Sequence, residues 1–337
     1  MAQRKEVSYR SSDKITQIRA LMWTPEEGTE PKAILQIVHG MQEFIDRYDG
    51  FASWMADRGF VVVGNDMLGH GGSVRNGDKR YWGYFGHGAL PDDKAGNGGY
   101  DGSPLEDAKS GHRTLINDIR HLQMMTVEKY PELPCFMLGH SMGSFLAREF
   151  LCVHGTSLKA AVISGTAFHP TAETNVAKTL TKLTAQTHTW FYRSPMLDRM
   201  SSGGMNKEIE PARTRADWLT RDEKVVDEYV ADERTGFRFT CNGYYTLFDC
   251  LHYISLAENL SRVPKNLPMF FIAGAQDPVG KDGDGPKRVA AQMQGLGCTA
   301  VTAKIYPQCR HEVLNELNRA EVWDDVLKFL EGCMPEK

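Results

Sequence analysis

Short apolar runs alternate with longer segments of helical period along most of the 337 residues. A nearly continuous apolar run is typical of a strand that is covered on both faces, as in a parallel sheet. Such strands are predicted at 33–38, 60–64, 135–138, 160–165 and 269–274, with an earlier strand at 15–23 and a half-buried edge strand at 301–305. Between them, segments such as 105–129 and 144–154 repeat apolar residues every three or four positions, which predicts amphipathic helices. The pattern predicts the α/β class, with a mostly parallel central sheet flanked by helices.

The alternation stops between residues 168 and 262, where helical segments continue without a clear buried strand. We interpret this stretch as an inserted helical cap, and residues 1–167 together with 263–337 as one core domain. Within the cap, an apolar stripe that includes Val176, Leu180 and Leu183 is expected to form the core. Residues 86–104 are rich in Gly, Asp and Asn and lack an apolar period, which predicts a long surface loop.

A serine stands at the junction of a predicted strand and a predicted helix, in the sequence GHSMG at 139–143. A sharp strand-turn-helix with serine at its apex exposes the hydroxyl and is called a nucleophile elbow, and the glycines leave room for the crowded turn. Met142 starts the helix, so its backbone N–H is free to bind a developing negative charge. The N–H of Met41, after the strand at 33–38, is the predicted second donor. An ordinary buried turn would give the same motif, so the rest of the chain has to supply the partners.

A catalytic serine needs an imidazole that takes its proton and a carboxylate that fixes the tautomer of that imidazole. After a nucleophile elbow these groups follow in the order serine, acid, histidine, each in a loop that leaves a strand. Asp277 follows one late predicted strand and His311 follows the last one. We therefore predict a catalytic triad of Ser141, Asp277 and His311, with Asp282 as the alternative acid.

Five short stretches of the chain match motifs of a known family. They read HGMQEF at 39–44 with Arg47 and Tyr48, GHGGS at 69–73, GHSMG at 139–143, QDPV at 276–279 and RHE at 310–312. With these motifs the chain resembles serine hydrolases of the α/β-hydrolase superfamily, and within it the monoacylglycerol lipase and lysophospholipase group. The resemblance implies the α/β-hydrolase fold with an inserted helical cap, and a monoacylglycerol or lysophospholipid as substrate. The chain departs from the family at 42–44, where QEF replaces the Gly-Glu-His that is often found there.

These residues predict a serine carboxylic-ester hydrolase that cleaves acyl esters. Ser141 is expected to attack the acyl carbon, His311 to act as base and then acid, and Asp277 to orient His311. The chemistry needs no metal and no cofactor, and its substrate is a small acyl ester or a single-chain lipid. An apolar entrance is predicted at Trp190, Phe191, Tyr192, Met196 and Met200.

Other functions fit the same residues. A peptidase of the proline-iminopeptidase kind shares fold and triad, and would bind a substrate ammonium with cap acids such as Glu208, Glu210, Glu223 and Asp227. A small-ester esterase or an acyltransferase would use the same acyl-enzyme. A non-catalytic binding module is disfavoured, because such proteins often lose a triad member and all three are present here.

Composition excludes several partners. The net charge is −4 and acids and bases are interspersed, so no surface for nucleic acid is indicated. The chain shows no signal-peptide core and no apolar run of membrane-spanning length, which predicts a soluble, cytoplasmic protein without stable membrane insertion. Seven cysteines without a Cys-x-x-Cys pair argue against a disulfide framework and against a zinc site.

Overall fold

One sheet organises the part of the chain that the structure describes. A computed structural model describes residues 1–86 and 111–335, and within them eight strands form the sheet. The strands are β1 (Gln3–Arg10), β2 (Gln17–Thr24), β3 (Ala33–Val38), β4 (Phe60–Asn65), β5 (Cys135–His140), β6 (Ala160–Ser164), β7 (Met269–Gly274) and β8 (Val301–Tyr306). Their order is β1-β2-β4-β3-β5-β6-β7-β8, with parallel neighbours from β4 to β8 and antiparallel pairing of β2 with β1 and with β4. The predicted mostly parallel sheet is confirmed.

Two layers of helices cover the sheet. The α-helices of the described residues are α1 (Asp49–Ala56), α2 (Gly111–Lys129), α3 (Met142–His154), α4 (Thr171–Thr187), α5 (Pro195–Ser202), α6 (Glu223–Ala231), α7 (Cys241–Tyr253), α8 (Ala257–Leu260), α9 (Asp284–Gly295) and α10 (Arg319–Gly332). Helices α1 and α10 pack on one face, and α2, α3 and α9 pack on the other. Successive strand residues supply the two cores in turn, as Ile34 and Leu35 do, which explains why the central strands are apolar on both faces over most of their length.

The two edges of the sheet differ from the sequence pattern. Strand β1 was not predicted, because Tyr9 is its one buried side chain and the strand carries no apolar run. Strand β8 is an edge strand as predicted, but its buried side chains are Val301 and Tyr306 instead of alternate residues. These two side chains point to opposite faces of the sheet and join different cores, so β8 helps to cover both helix layers.

Helices α4 to α8 lie between β6 and β7, in the segment that the sequence predicts to be a cap. The expectation for the cap core is wrong at Val176 and Leu183, which are 66% and 54% exposed. The buried side chains of α4 are small, and they are Thr174, Ala177, Thr181 and Ala185. Helix α4 packs against α7, and small side chains at this seam let the two backbones come close. The division into a core domain and a cap over 168–262 stays a prediction.

Three further expectations concern the surface loop, membrane-spanning helices and the cysteines. The predicted surface loop at 86–104 lies, apart from Gly86, outside the described residues. Among the helices of residues 1–86 and 111–335, none combines the length and the apolarity that crossing a membrane requires. All seven cysteines carry free thiols, and six of them are buried.

Candidate active site

The carboxyl ends of the parallel strands bring the predicted catalytic residues to one place. Met41 follows β3, Ser141 follows β5, Asp277 follows β7 and His311 follows β8. Except for Asp277, these residues line one cavity of about 250 Å³ together with Met142. The Asp277 side chain lies behind His311 and is fully buried. A crevice outside the carboxyl ends of the strands is the usual position of a ligand site in an open α/β sheet.

The turn at Ser141 has the backbone of a nucleophile elbow. Ser141 has φ +53° and ψ −122°, a left-handed conformation that non-glycine residues adopt at a cost of about 1–3 kcal/mol. The flanking glycines are required by contact: a Cβ on Gly143 would lie 2.1 Å from the carbonyl oxygen of Val38, and one on Gly139 would lie 2.4 Å from that of Gly143. The fold therefore holds the serine at the apex between β5 and α3.

A carboxylate orients the imidazole beside this serine. Nδ1–H of His311 donates to Oδ1 of Asp277 over 2.9 Å, and the Val279 N–H donates to the same oxygen over 2.9 Å. Burial opposes a charge on His311, but the attraction of Asp277 raises its pKa above the ordinary value. Nε2 of His311 is buried without a hydrogen-bond partner among the described residues. Catalytic hydrogen bonds often tighten only once substrate is bound, so Nε2 is the atom available to receive a proton from Ser141.

Two rings flank His311. The ring of His140 lies 4.7 Å from that of His311, and the ring of Trp218 lies 5.0 Å away, both measured between centroids. Burial and the neighbouring His311 lower the pKa of His140 to about 4. His140 is therefore neutral at physiological pH and adds no positive charge beside His311. The His311 backbone N–H also donates to the Trp218 carbonyl over 3.3 Å, which ties the histidine loop to the segment between α5 and α6.

Two neutral histidines fix the loop that carries the predicted oxyanion donor. Nε2 of His39 accepts the Met67 N–H over 2.9 Å, so the ring carries its proton on Nδ1, which donates to the Gly40 carbonyl over 2.8 Å. The Gly40 carbonyl and the Met41 N–H belong to one peptide group, so this bond sets the direction of the Met41 donor. On the other side, the Gln42 N–H donates to Nε2 of His70 over 3.2 Å.

A buried ion cluster adjoins the site and was not predicted as a functional feature. It consists of Glu43, Arg47 and Glu312, which entered the sequence analysis only as parts of matching motifs. No spacing signal connects them, because Arg47 and Glu312 are 265 positions apart. Within residues 1–86 and 111–335, no group of three or more His, Cys, Asp or Glu side chains is placed to hold a metal ion.

The wall of the cavity is apolar over one part and polar over another. The apolar part includes side chains of α3, α5, the segment after α5, and α7, among them Phe145, Met200, Met205, Leu247, Phe248 and Leu251. Ser201, Ser202, His169 and Lys281 add polar groups. This arrangement suits a ligand with one aliphatic portion and a short polar portion.

The structure does not gather the five predicted entrance residues at this cavity. Met200 lines it, whereas the other four do not. Trp190 packs on Tyr245, with centroids 5.6 Å apart, and Phe191 stacks on Tyr84 at 4.2 Å. Tyr192 stacks on His188 at 4.0 Å, and Met196 is exposed. The three aromatic residues pack on other aromatic rings instead.

Comparisons with known proteins show which family the chain resembles in sequence and in fold. Residues 29–318 match the model of the Hydrolase_4 family, described as serine aminopeptidase, S33. The chain is 26% identical to a monoacylglycerol lipase of Mycolicibacterium smegmatis, over 92% of this chain and 91% of that protein. It is 25% identical to a monoglyceride lipase of Rattus norvegicus, over 88% and 84% of the two chains. A solved carboxyl esterase from Bacillus coagulans, in complex with glycerol, superposes with a TM-score of 0.83 at 28% identity, over 98% of this chain and 99% of that one.

Proposed function

We propose that the chain cleaves single-chain lipid esters through an acyl-enzyme on Ser141. The chain belongs to the Hydrolase_4 family (serine aminopeptidase, S33), has the α/β-hydrolase fold and is a carboxylic-ester hydrolase. One observation carries the mechanism. The His311 imidazole is hydrogen-bonded to Asp277 and shares a cavity with a serine held at the apex of a strained strand-to-helix turn. These are the parts that acyl transfer by a serine requires.

The reaction follows from the positions of these groups. Oγ of Ser141 attacks the acyl carbon while Nε2 of His311 takes the hydroxyl proton. The carbonyl oxygen becomes negative, and the backbone N–H groups of Met41 and Met142 stabilise it. The ester C–O bond then breaks, and His311 returns the proton to the departing alcohol. Water, activated by the same histidine, attacks the acyl-enzyme and releases the carboxylic acid.

The wall of the cavity supports a substrate with one acyl chain. Apolar side chains of α3, α5, the segment after α5, and α7 line it, and an aliphatic chain there could exclude water. The two serines at the end of α5 could hydrogen-bond the hydroxyl groups of a glycerol portion. A monoacylglycerol or a lysophospholipid has both portions, and the relatives named as monoacylglycerol and monoglyceride lipases support the first of these.

A peptidase would need a free acid for the substrate ammonium, and the described cavity gives that reading little support. The carboxylates on its wall, Glu43 and Glu312, are both bonded to Arg47. The cap acids considered from the sequence are not on the cavity wall, and they are Glu208, Glu210, Glu223 and Asp227.

The test combines labelling of the nucleophile with a substrate series. One sample of the protein is titrated with a fluorophosphonate. In a second, unlabelled sample, hydrolysis is followed for p-nitrophenyl esters of increasing chain length, for a monoacylglycerol, for a lysophosphatidylcholine and for an aminoacyl p-nitroanilide. We expect stoichiometric labelling, a pre-steady-state burst and a rate that peaks at medium or long chains. Ser141→Ala should lose labelling and burst. Ser157→Ala, which changes a half-buried serine after the far end of α3, should keep both.

Each result separates one reading from the others. Labelling at another serine, or turnover that persists in Ser141→Ala, would overturn the acyl-enzyme proposal. A rate that peaks at acetate would replace the lipid substrate by a small ester. Turnover of the aminoacyl anilide above that of the esters would assign the peptidase activity instead.

A further inference from the structure

Arg47 is enclosed between two carboxylates beneath the candidate active site. One of its terminal nitrogens lies 2.6 Å from Glu43 and 2.6 Å from Glu312, and the other donates to Glu312 over 2.7 Å. All three side chains are almost entirely buried, with 10% of Arg47 and 4% of each glutamate exposed. The Tyr229 ring covers the guanidinium at 4.9 Å. A guanidinium that is forked in this way has a fixed orientation, which a lysine ammonium could not reproduce.

One end of this cluster holds the oxyanion loop. Oε1 of Glu43 accepts the Gly40 N–H over 2.5 Å and the hydroxyl of Tyr48 over 2.9 Å, while its other oxygen binds Arg47. The next peptide group along the chain carries the Met41 N–H. A shift of the Glu43 carboxylate would therefore rotate the backbone from which Met41 donates.

The other end holds the histidine loop. Glu312 follows His311 directly, its backbone N–H donates to the Leu219 carbonyl over 2.6 Å, and its carboxylate accepts from Asn315 over 2.9 Å. Burial raises the pKa of the Glu312 carboxyl group, but the positive charge and hydrogen bonds of Arg47 lower it to about 2. The carboxylate of Glu312 is therefore charged, and it lies next to His311.

We propose that Arg47 is a positioning residue which, through Glu43 and Glu312, fixes the Met41 N–H and the His311 imidazole relative to each other. This inference rests on the proposed acyl-enzyme mechanism and adds a structural link between its oxyanion donor and its general base. Neither strand order nor the triad provides this link, because β3 and β8 lie four places apart in the sheet. A displacement of about 1 Å at a reacting centre lowers the rate by about 100-fold.

The cluster also acts on His311 through its charge. The titratable and charged groups around His311 are Asp277, His140, Glu43, Arg47 and Glu312, with Tyr229, His169 and Lys281 on the cavity wall. Glu312 and Glu43 both raise the pKa of His311, in addition to the effect of Asp277. Removing one of these negative charges should therefore lower the pH at which the base loses its proton.

The test compares Glu312→Gln and Arg47→Lys with wild type. Active sites are first counted with the fluorophosphonate, and kcat, KM and the pH profile of kcat/KM are then measured per active site. Glu312→Gln should reduce kcat about 10- to 100-fold with KM changed less than about 3-fold, because its amide N–H₂ faces the guanidinium and displaces Arg47. The acid limb of kcat/KM should move down by about one pH unit. Arg47→Lys keeps the charge but loses the fork, so it should not restore kcat.

Asp118→Asn is the matched control, since Asp118 is also a buried carboxylate but bonds Ser11 and Ser12 far from the cavity. It should lower the melting temperature without changing kcat or the acid limb. If Glu312→Gln behaves like this control, the positioning role is wrong and the cluster only stabilises the fold. If wild-type Ser141 is not labelled at all, the proposed function fails instead, so the two failures are distinguishable. Normal kcat in Arg47→Lys would likewise overturn the inference.

Discussion

His311 and Asp277 are joined by a hydrogen bond of 2.9 Å from Nδ1 of the imidazole to Oδ1 of the carboxylate. This bond requires the proton on Nδ1 and leaves the lone pair on Nε2, which is the nitrogen without a partner among the described residues. The carboxylate is fully buried, so its charge is little screened by water. The pair therefore supplies both properties that a general base needs, a defined tautomer and a stabilised cationic form.

Asp277→Asn should reduce kcat by about 10⁴ while the fold is kept. The amide of asparagine can donate to Nδ1 and so favours the tautomer whose proton lies on Nε2, which cannot accept a proton from Ser141. Steady-state kinetics and circular dichroism test this expectation. Asp282→Asn is the control, because Asp282 is the alternative acid and is exposed. A large loss in Asp282→Asn with normal activity in Asp277→Asn would reassign the acid.

The pH profile of kcat/KM should have an acid limb with its midpoint above 6.5, the ordinary value for histidine. The base works in its neutral form, and the neighbouring carboxylates raise the pKa of His311 despite burial. Activity should therefore fall as the pH drops through this raised value. The profile is measured with a p-nitrophenyl ester between pH 5 and 9. A midpoint below 6.5 would show that the carboxylates do not stabilise the cation.

Another buried histidine, His112, links α2 to α3 and α7. Nδ1 of His112, in α2, lies 2.5 Å from Glu149 in α3, and Nε2 lies 3.1 Å from Asp249 in α7. Lys178 in α4 binds the other oxygen of Asp249 over 2.5 Å. Both ring nitrogens face carboxylate oxygens, so the ring carries two protons and one positive charge. Burial opposes this charge, but the two carboxylates raise the pKa of His112 to about 9.

This raised pKa predicts a loss of stability at alkaline pH. The contribution of His112 is complete below about pH 6.5, the unfolded value, and is lost as the pH rises through about 9. The difference corresponds to about 3 kcal/mol. The melting temperature of wild type should therefore decrease between pH 7 and 10, and His112→Gln should lose most of that slope. His154→Gln, which changes a histidine outside the cluster, should retain it. Equal slopes in wild type and His112→Gln would contradict the predicted role.

The elbow glycines predict a sharp difference between two Gly→Ala substitutions. A Cβ on Gly143 would lie 2.1 Å from the Val38 carbonyl oxygen and 2.4 Å from that of His39, so the elbow would move away from the oxyanion loop. Gly143→Ala should lower kcat at least about 100-fold and reduce the melting temperature. Gly295→Ala places the same methyl group in α9 with no atom within 4 Å, and should be neutral or stabilise by about 0.5–1 kcal/mol. Matching losses in both variants would refute the steric argument.

The buried strands can be predicted because each has a local apolar pattern. The candidate triad can be predicted because its residues follow strands in a fixed order along the chain. Each central strand is a nearly continuous apolar run, and the triad residues follow strand ends in a fixed order. Ser141, Asp277 and His311 could therefore be placed at one sheet edge before any distance was known. The pairing of Arg47 with Glu312 has no such signal, since only the fold brings residues 265 positions apart into contact.

The packing of the helices between β6 and β7 was harder to predict, because the sequence marks apolar residues but not the surface that they meet. Val176 and Leu183 fit an apolar stripe, yet α4 turns the side that carries Ala177 and Thr181 towards α7. Small residues give a weak hydrophobic pattern, so the side of closest approach is easily missed. The exposed β1 is a similar case, since one buried tyrosine is not enough to predict a strand.

Helix α4 packs against α7 through small side chains, and this packing predicts different effects of substitution at two neighbouring positions of α4. Ala177 is 8% exposed on the side that meets α7, and Val176 is 66% exposed. Ala177→Leu adds bulk where the helices touch, and should destabilise the protein by about 1–3 kcal/mol. It should also raise KM, because α7 carries Leu247, Phe248 and Leu251 of the cavity wall. Val176→Leu adds a methylene group at the exposed position and should change stability by less than about 0.5 kcal/mol. Thermal unfolding and KM for a long-chain ester measure both effects. A larger change in Val176→Leu than in Ala177→Leu would show that the buried side of α4 has been assigned wrongly.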